Sequence, residues 1–383
     1  MRATPAPREL SDADRIAWLR LARSEGVGPA TFRDLIERFG TAPAALEALP
    51  DLARRAGRDR PPRTLSRAKA EDELAGLAKL GGGLIAACEP TYPEALAAIS
   101  DAPPVLTWRG DASLLAQPAV AIVGARNASA GGCRLAETLA RELGEAGLIV
   151  VSGLARGIDA AAHRGALATG TIAVFAGGLD VIYPAENEVL AAAIAERGLL
   201  LAELAPGTQP LARNFPRRNR IVSGLSCGTL VVEAAIRSGS LTTARLAAEQ
   251  GREVMAIPGS PLDPRCRGAN RLIRDGAALV EEAGDILEIL GQLAVPKNLS
   301  PHPKPSLLEI SAPLQIESQL IDKPTEITTS TILERLGPTP VPVDELIRQC
   351  SFSAPVVRTV LLELELAGRL ERHPGDAVSM LPI

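Results

Sequence analysis

The chain has 383 residues, 46% hydrophobic and 22% charged, which supplies a core and excludes disorder throughout. Its formal net charge is −4, from 41 basic and 45 acidic side chains, so a nucleic acid would have to be held by a local basic patch rather than by bulk charge. No apolar run approaches the roughly 20 residues of a membrane span, the N-terminus lacks the apolar stretch of a secretory signal, and five scattered cysteines without a C-x-x-C pair fit a reducing cytoplasm and argue against a zinc site or disulfide framework.

Residues 1–80 read as a small helical domain, with Ile16, Leu19 and Leu21, then Phe32, Leu35, Ile36 and Phe39, at helical spacings. Between the two groups lies Glu25-Gly26-Val27-Gly28-Pro29. That turn suits a helix-hairpin-helix or SAM-like unit, but Gly-Pro turns join helices in many bundles, and from the residues alone the plain bundle comes first. The basic stretch 54–69 serves a solvated linker as well as a DNA arm.

Residues 81–293 change character. Short aliphatic runs at 119–123, 148–151, 171–176, 199–204, 229–232 and 253–257 each lead into a Gly-rich turn and then a helical pattern. Such runs predict strands buried on both faces of an open parallel sheet, an α/β fold of the extended Rossmann-like kind. Residues 294–327 carry repeated prolines without a period and read as a linker. Residues 328–383 offer three helices and a hairpin around Pro374-Gly375-Asp376, the winged-helix layout. Its third helix, 354–367, carries Arg358 but also Glu363 and Glu365; that balance favours protein contact or regulation over groove reading.

Ligands of open parallel sheets sit at the carboxyl ends of the strands. Here the strand exits are built from Gly, Ser, Thr, Asn and Arg: 124–129 with Gly124 and Arg126, 152–159 with Gly153 and Arg156, 177–180 with Gly177-Gly178, the segment 213–220, 238–243 with Ser240 and Thr243, and 258–260. Backbone donors and helix N-termini in such turns hold anions, and so many of them point to several phosphates or to a strand. The chain has no G-x-G-x-x-G for NAD, no G-x-x-x-x-G-K-[ST] P-loop and no G-x-S-x-G nucleophile elbow. His163, four residues after Asp159, reads as a packing residue, since no nucleophile accompanies it. No cofactor, metal or catalytic residue is expected.

The densest feature is Arg213, Phe215, Arg217, Arg218, Asn219 and Arg220. Guanidinium groups bind phosphate in pairs and an exposed aromatic stacks on a base. Equally, Phe215 belongs to a core and the arginines pair with Glu203 and Glu233. Composition leaves both readings open.

These residues give the chain a close resemblance to the DNA-processing protein A family, also called Smf. The matching segments are 121–126, 151–159 with His163, 176–180 with Tyr183-Pro184, 214–226, 231–233, and 238–244 with Ile257-Pro258-Gly259. The resemblance implies a non-catalytic, cytoplasmic, homodimeric protein of natural transformation. Such a protein binds and protects incoming single-stranded DNA and loads RecA onto it. By motif, Arg126 would hold a phosphate, Gly177 and Gly178 would line the pocket, and Phe215, Arg218, Asn219 and Arg220 would form its wall. Two positions depart from the family pattern: Ala125 replaces a common serine, and Cys266 stands where serine is frequent. Neither change removes a cation. A competing enzyme reading, a nucleoside-monophosphate phosphoribohydrolase, is echoed by Gly228-Thr229 and Glu233. It leaves the arginine-rich segment unexplained.

Overall fold

The computed structural model describes residues 8–55, 60, 62–291, 326–354, 356, 357, 360, 361, 364, 369–373 and 377–381. The expected linker lies outside the described residues except for its last two positions, and so do Arg358, Glu363 and Glu365.

The N-terminal domain comprises α1 (Asp12–Ala22), α2 (Pro29–Phe39), α3 (Ala42–Arg55) and α4 (Arg67–Lys79). Ser11 starts α1 by accepting the Asp14 amide, and Gly28 leads into α2 with Pro29 in its first turn, where a missing N–H costs nothing. The apolar faces converge on Trp18, Leu19, Leu21, Phe32 and Leu35. Trp18 Nε1 donates to the Pro104 carbonyl at 2.9 Å, and Arg23 donates to the Glu203 carbonyl at 2.8 Å. These two bonds tie the helices to the sheet.

The central domain runs β1 (Gly82–Ala86), α5 (Glu94–Ala97), β2 (Val105–Gly110), β3 (Ala119–Val123), α6 (Ala130–Glu145), β4 (Ile149–Ser152), α7 (Ile158–Ala166), β5 (Thr171–Phe175), α8 (Glu188–Arg197), β6 (Leu199–Ala202), α9 (Asn214–Gly224), β7 (Gly228–Val231), α10 (Gly239–Glu249), β8 (Glu253–Ala256), α11 (Arg267–Arg274), β9 (Ala278–Leu279) and α12 (Ala283–Gly291). Among the described residues the sheet has nine strands, ordered β1-β2-β6-β5-β4-β3-β7-β8-β9. Every residue of β3 to β7 is buried, because helices cover both faces of a parallel sheet. The run at 253–257 also forms a strand, β8. By contrast β1 and β2 extend the sheet as an antiparallel edge on β6. The sequence hid this pair, since Gly82-Gly83 and Trp108-Arg109-Gly110 interrupt their aliphatic runs.

The winged-helix domain is built from α13 (Glu326–Arg335), β10 (Val341–Pro342), α14 (Val343–Cys350), β11 (Leu370–His373) and β12 (Ala377–Met380), with a small sheet ordered β10-β12-β11. The described residues Val357, Val360, Leu361 and Leu364 of its third helix are all buried in a core with Ile332, Leu346 and Val378. The domain docks on the central one. Gln349 Nε2 donates to the Ala130 carbonyl at 3.2 Å, Arg134 pairs with Glu345 at 3.4 Å, and Arg265 donates to the carbonyls of Glu334 and Leu336 at 2.9 and 2.8 Å. Among the described residues no helix is long and apolar enough to cross a membrane.

Candidate nucleic-acid interface

Strand β3 has β4 on one side and β7 on the other, so the chain reverses its winding direction between β3 and β7. A crevice opens at such a switch point. Here it has a volume of about 640 Å³ and is lined from the exits of β3, β4 and β7 and from α9.

The site of a mononucleotide phosphate in such folds, the first turn of the helix after β3, is already filled. Ser129 caps α6 by accepting the Gly132 amide. The Glu233 carboxylate, from the end of β7, accepts the Ser129 amide at 2.9 Å and its hydroxyl at 2.5 Å. A Cβ at residue 132 would meet that carboxylate, so Gly132 is what lets it reach the helix end. The internal anion satisfies the positive end of α6.

The crevice itself is cationic. Arg126 is exposed and its guanidinium lies over the Phe215 ring at 5.1 Å, a cation–π contact. Tyr183, 51% exposed, meets Phe215 edge-on with ring centroids 5.9 Å apart. Arg156, Arg237 and Arg265 stand around the same space. Ser238 caps α10 through the Ser240 amide, and their hydroxyls are 2.7 Å apart. With Thr243 they present the N-terminal turn of α10 to the crevice.

The floor is a buried ion pair. Arg218 and Asp159 approach to 4.0 Å with about 7–8% of each side chain exposed. Asp159 also accepts the amides of Gly153 and Ala155 at 3.1 and 3.4 Å. Burial raises the Asp159 carboxyl and lowers the Arg218 guanidinium from their ordinary values, and their mutual attraction opposes both shifts. Gly153 makes the pair possible, because a Cβ there would overlap the guanidinium.

The segment read from sequence as a turn, 213–220, is mostly helix α9. Its buried face carries Asn214, Arg218, Ile221 and Val222, spaced i, i+4, i+7 and i+8. Pro216 falls in the first turn, where it is tolerated. Of the expected site residues, Gly124, Arg126, Arg156, Phe215, Arg218, Asn219, Ser240 and Thr243 line the crevice. Arg220 does not: it is buried, paired with Glu203 at 2.7 Å and with Asp101 at 3.4 Å. Arg217 shares Glu203 at 3.3 Å, and Arg213 is exposed at the head of the helix. Gly177 and Gly178 let the 205–210 loop pack against β5's exit, since a Cβ at either would meet the carbonyl of Thr208 or Ala205. Gly178 donates to Thr208 O at 2.9 Å. Two crevice arginines escaped the sequence reading, Arg237 and Arg265. Arg237, directly before the Ser238-Gly239 cap, had a legible position. Arg265 had none, because only the fold brings it there.

His163 is fully buried with its Nδ1 2.7 Å from Thr171 Oγ1. Burial, with Arg218 and Arg164 nearby, pushes its pKa down to about 3, so the ring is neutral and packed. Among the described residues no cluster of three or more His, Cys, Asp or Glu is placed to hold a metal.

The chain is an α/β protein with a Rossmann-like sheet, an arginine-lined and aromatic-edged crevice at its switch point, a helical N-terminal domain and a C-terminal winged helix. Residues 83–291 match the family described as DNA recombination-mediator protein A, residues 12–76 the DprA-like N-terminal HHH domain, and residues 320–376 the DprA winged helix domain. The chain is 41% identical over 315 residues to Protein Smf of Escherichia coli (strain K12), covering 81% of this chain and 80% of that one. It is 49% identical over 198 residues to DNA processing protein DprA of Streptococcus pneumoniae (strain ATCC BAA-255 / R6), covering 51% and 70%. The X-ray structure of DprA from Streptococcus pneumoniae aligns with a TM-score of 0.61 at 36% identity, over 73% of this chain and 98% of that one. The chain belongs to the DprA/Smf family of DNA-processing proteins.

Proposed function

We propose that this protein binds single-stranded DNA in the switch-point crevice, shields it, and hands it to the RecA recombinase, acting as a homodimer in natural transformation. The observation that carries the binding step is Arg126 over Phe215: an exposed phosphate ligand and a half-buried aromatic ring stand together at the crevice. Stacking on a side chain needs an unpaired base, whereas phosphate contacts serve any strand. The family description as a recombination mediator supports the transfer to a recombinase. Action by binding alone accords with the absence of a Walker lysine in the sequence and with the buried, hydroxyl-bonded state of His163.

The glutamate that the phosphoribohydrolase reading would use is Glu233, and its carboxylate is engaged by Ser129. Turnover of nucleoside monophosphates is therefore expected to be absent, which a base-release assay reads directly. The binding proposal is tested by anisotropy with single- and double-stranded oligonucleotides of equal length across a salt series. Equal affinity for both would sink it. The transfer step is tested by RecA filament assembly on DNA precoated with single-strand-binding protein. Failure to stimulate it, in a preparation that still binds DNA, would reduce the protein to a strand protector.

A further inference from the structure

Docking of the winged helix leaves a second groove, of about 760 Å³, between the two domains. One wall comes from α6 and α7, with Arg134, Arg141 and Arg164; the other comes from the winged helix, with Arg335 at the end of α13 and Arg348 on α14. Arg156 borders both this groove and the switch-point crevice, so one cation stands at the edge of each.

The groove carries six arginines against the three carboxylates of Glu137, Glu186 and Glu345, in a chain whose net charge is −4. The carboxylates do not neutralise it. Glu345 is shared by Arg134 and Arg348 at 3.4 and 2.6 Å, and Arg335 makes no ion pair among the described residues. Arg164 with Glu137 and Arg156 with Glu186 are half-exposed pairs at 3.7 and 3.5 Å, a kind worth little in water. Such arginines exchange a weak carboxylate partner for a bidentate phosphate readily. The rest of the lining is Cys133, Thr138, Gly157, Ala160, Asn187 and Gln349, with no large apolar side chain to seat a peptide.

We propose that a single strand seated in the switch-point crevice continues past Arg156 into this interdomain groove, where arginines of both domains hold its phosphate backbone. The inference rests on the single-strand reading above and extends it to a second binding segment. It uses α14 and the end of α13, not the helix a winged helix inserts into a duplex groove. It also links binding to domain arrangement: Arg335 and Arg348 face the strand only while the winged helix is docked, so a long strand and docking favour each other.

The test compares full-length chains on a short oligonucleotide of about 6 nucleotides and a long one of about 30, one within and one beyond common single-strand site sizes. The double variant Arg335→Glu/Arg348→Glu is expected to bind the long strand about tenfold more weakly. Its log–log salt slope should be shallower by roughly 1.4 for two lost phosphate contacts, with short-strand affinity unchanged. Arg141→Gln/Arg164→Gln, on the central domain, should move the long-strand affinity in the same direction by a smaller factor; it carries the test if the first variant fails to fold. Long-strand affinity equal to wild type in both variants overturns the groove and leaves the first crevice standing. So does an equal loss on both lengths, or loss of polyglutamate binding with the long strand unaffected, which would assign the groove to an acidic protein segment. A wild-type chain that binds neither strand overturns the single-strand reading itself.

Discussion

Helix α9 carries arginines with two different fates, and Arg126 opposite it makes the contrast plain. Arg126 is exposed, lies over an aromatic ring and is free to exchange water for phosphate. Arg220, two residues beyond Arg218, has 6% of its side chain exposed and is bound to Glu203 and Asp101. Burial decides the role. A guanidinium already desolvated against a carboxylate holds the scaffold together, while one left in water is available to a ligand. Arg218 stands between: its partner Asp159 fixes it from below, and it forms the crevice floor.

The contrast can be broken first at its buried end. Arg220→Ala leaves the Glu203 carboxylate buried without its closest cation, and should cost about 3–5 kcal/mol of stability. Denaturant unfolding reads this, and a variant as stable as wild type would place Arg220 with the exposed group. Next in size is the charge state beneath the crevice. His163 has a folded pKa of about 3, below its ordinary 6.5. The unfolded chain therefore takes up a proton first as pH falls, and stability is full above pH 6.5 and lost toward pH 3. The loss is about 2 kcal/mol between pH 6.5 and 5. His163→Gln should remove that part of the slope, and an unchanged slope would mean that the ring takes up its proton as readily in the fold as in the unfolded chain.

At the exposed end the effects are on binding. Phe215→Ala should weaken single-strand affinity by roughly 1–3 kcal/mol through lost stacking. Its salt slope should not change, since no phosphate contact is removed. Smallest is Arg126→Ala, expected to lower single-strand affinity by about 1 kcal/mol and the salt slope by roughly 0.7, with no change in unfolding midpoint. A folded Arg126→Ala variant that binds as wild type would erase the distinction between the two kinds of arginine.

Much of this architecture is legible in the residues. Continuous aliphatic runs announce β3 to β8, and their Gly- and Ser-rich exits announce an anion site. Helix α9 is harder, because the core side of its period is occupied by Asn214 and Arg218, so a hydrophobic pattern is missing where a helical one is present. The roles of Arg217, Arg218 and Arg220 are also invisible in one dimension. Their partners Glu203 and Asp159 lie 14 to 59 positions away, and which arginine meets a carboxylate depends on helix phase. Arg265 reaches the crevice only because α11 packs beyond β8, a tertiary fact with no local signal.

The Glu233 carboxylate seated on the N-terminal turn of α6 has a consequence for selectivity in a crowded solution. A free nucleotide has few phosphates and depends on one deep, well-formed hole at a helix end. A strand presents many phosphates and gains its grip from several shallow contacts in a row. With that helix end occupied by its own Glu233 side chain, the chain offers a small nucleotide no hole there, while the arginines lining the crevice stay open. On the single-strand reading proposed above, a mononucleotide would compete poorly for the crevice while a strand would lose nothing, and the carboxylate would work as a filter for length.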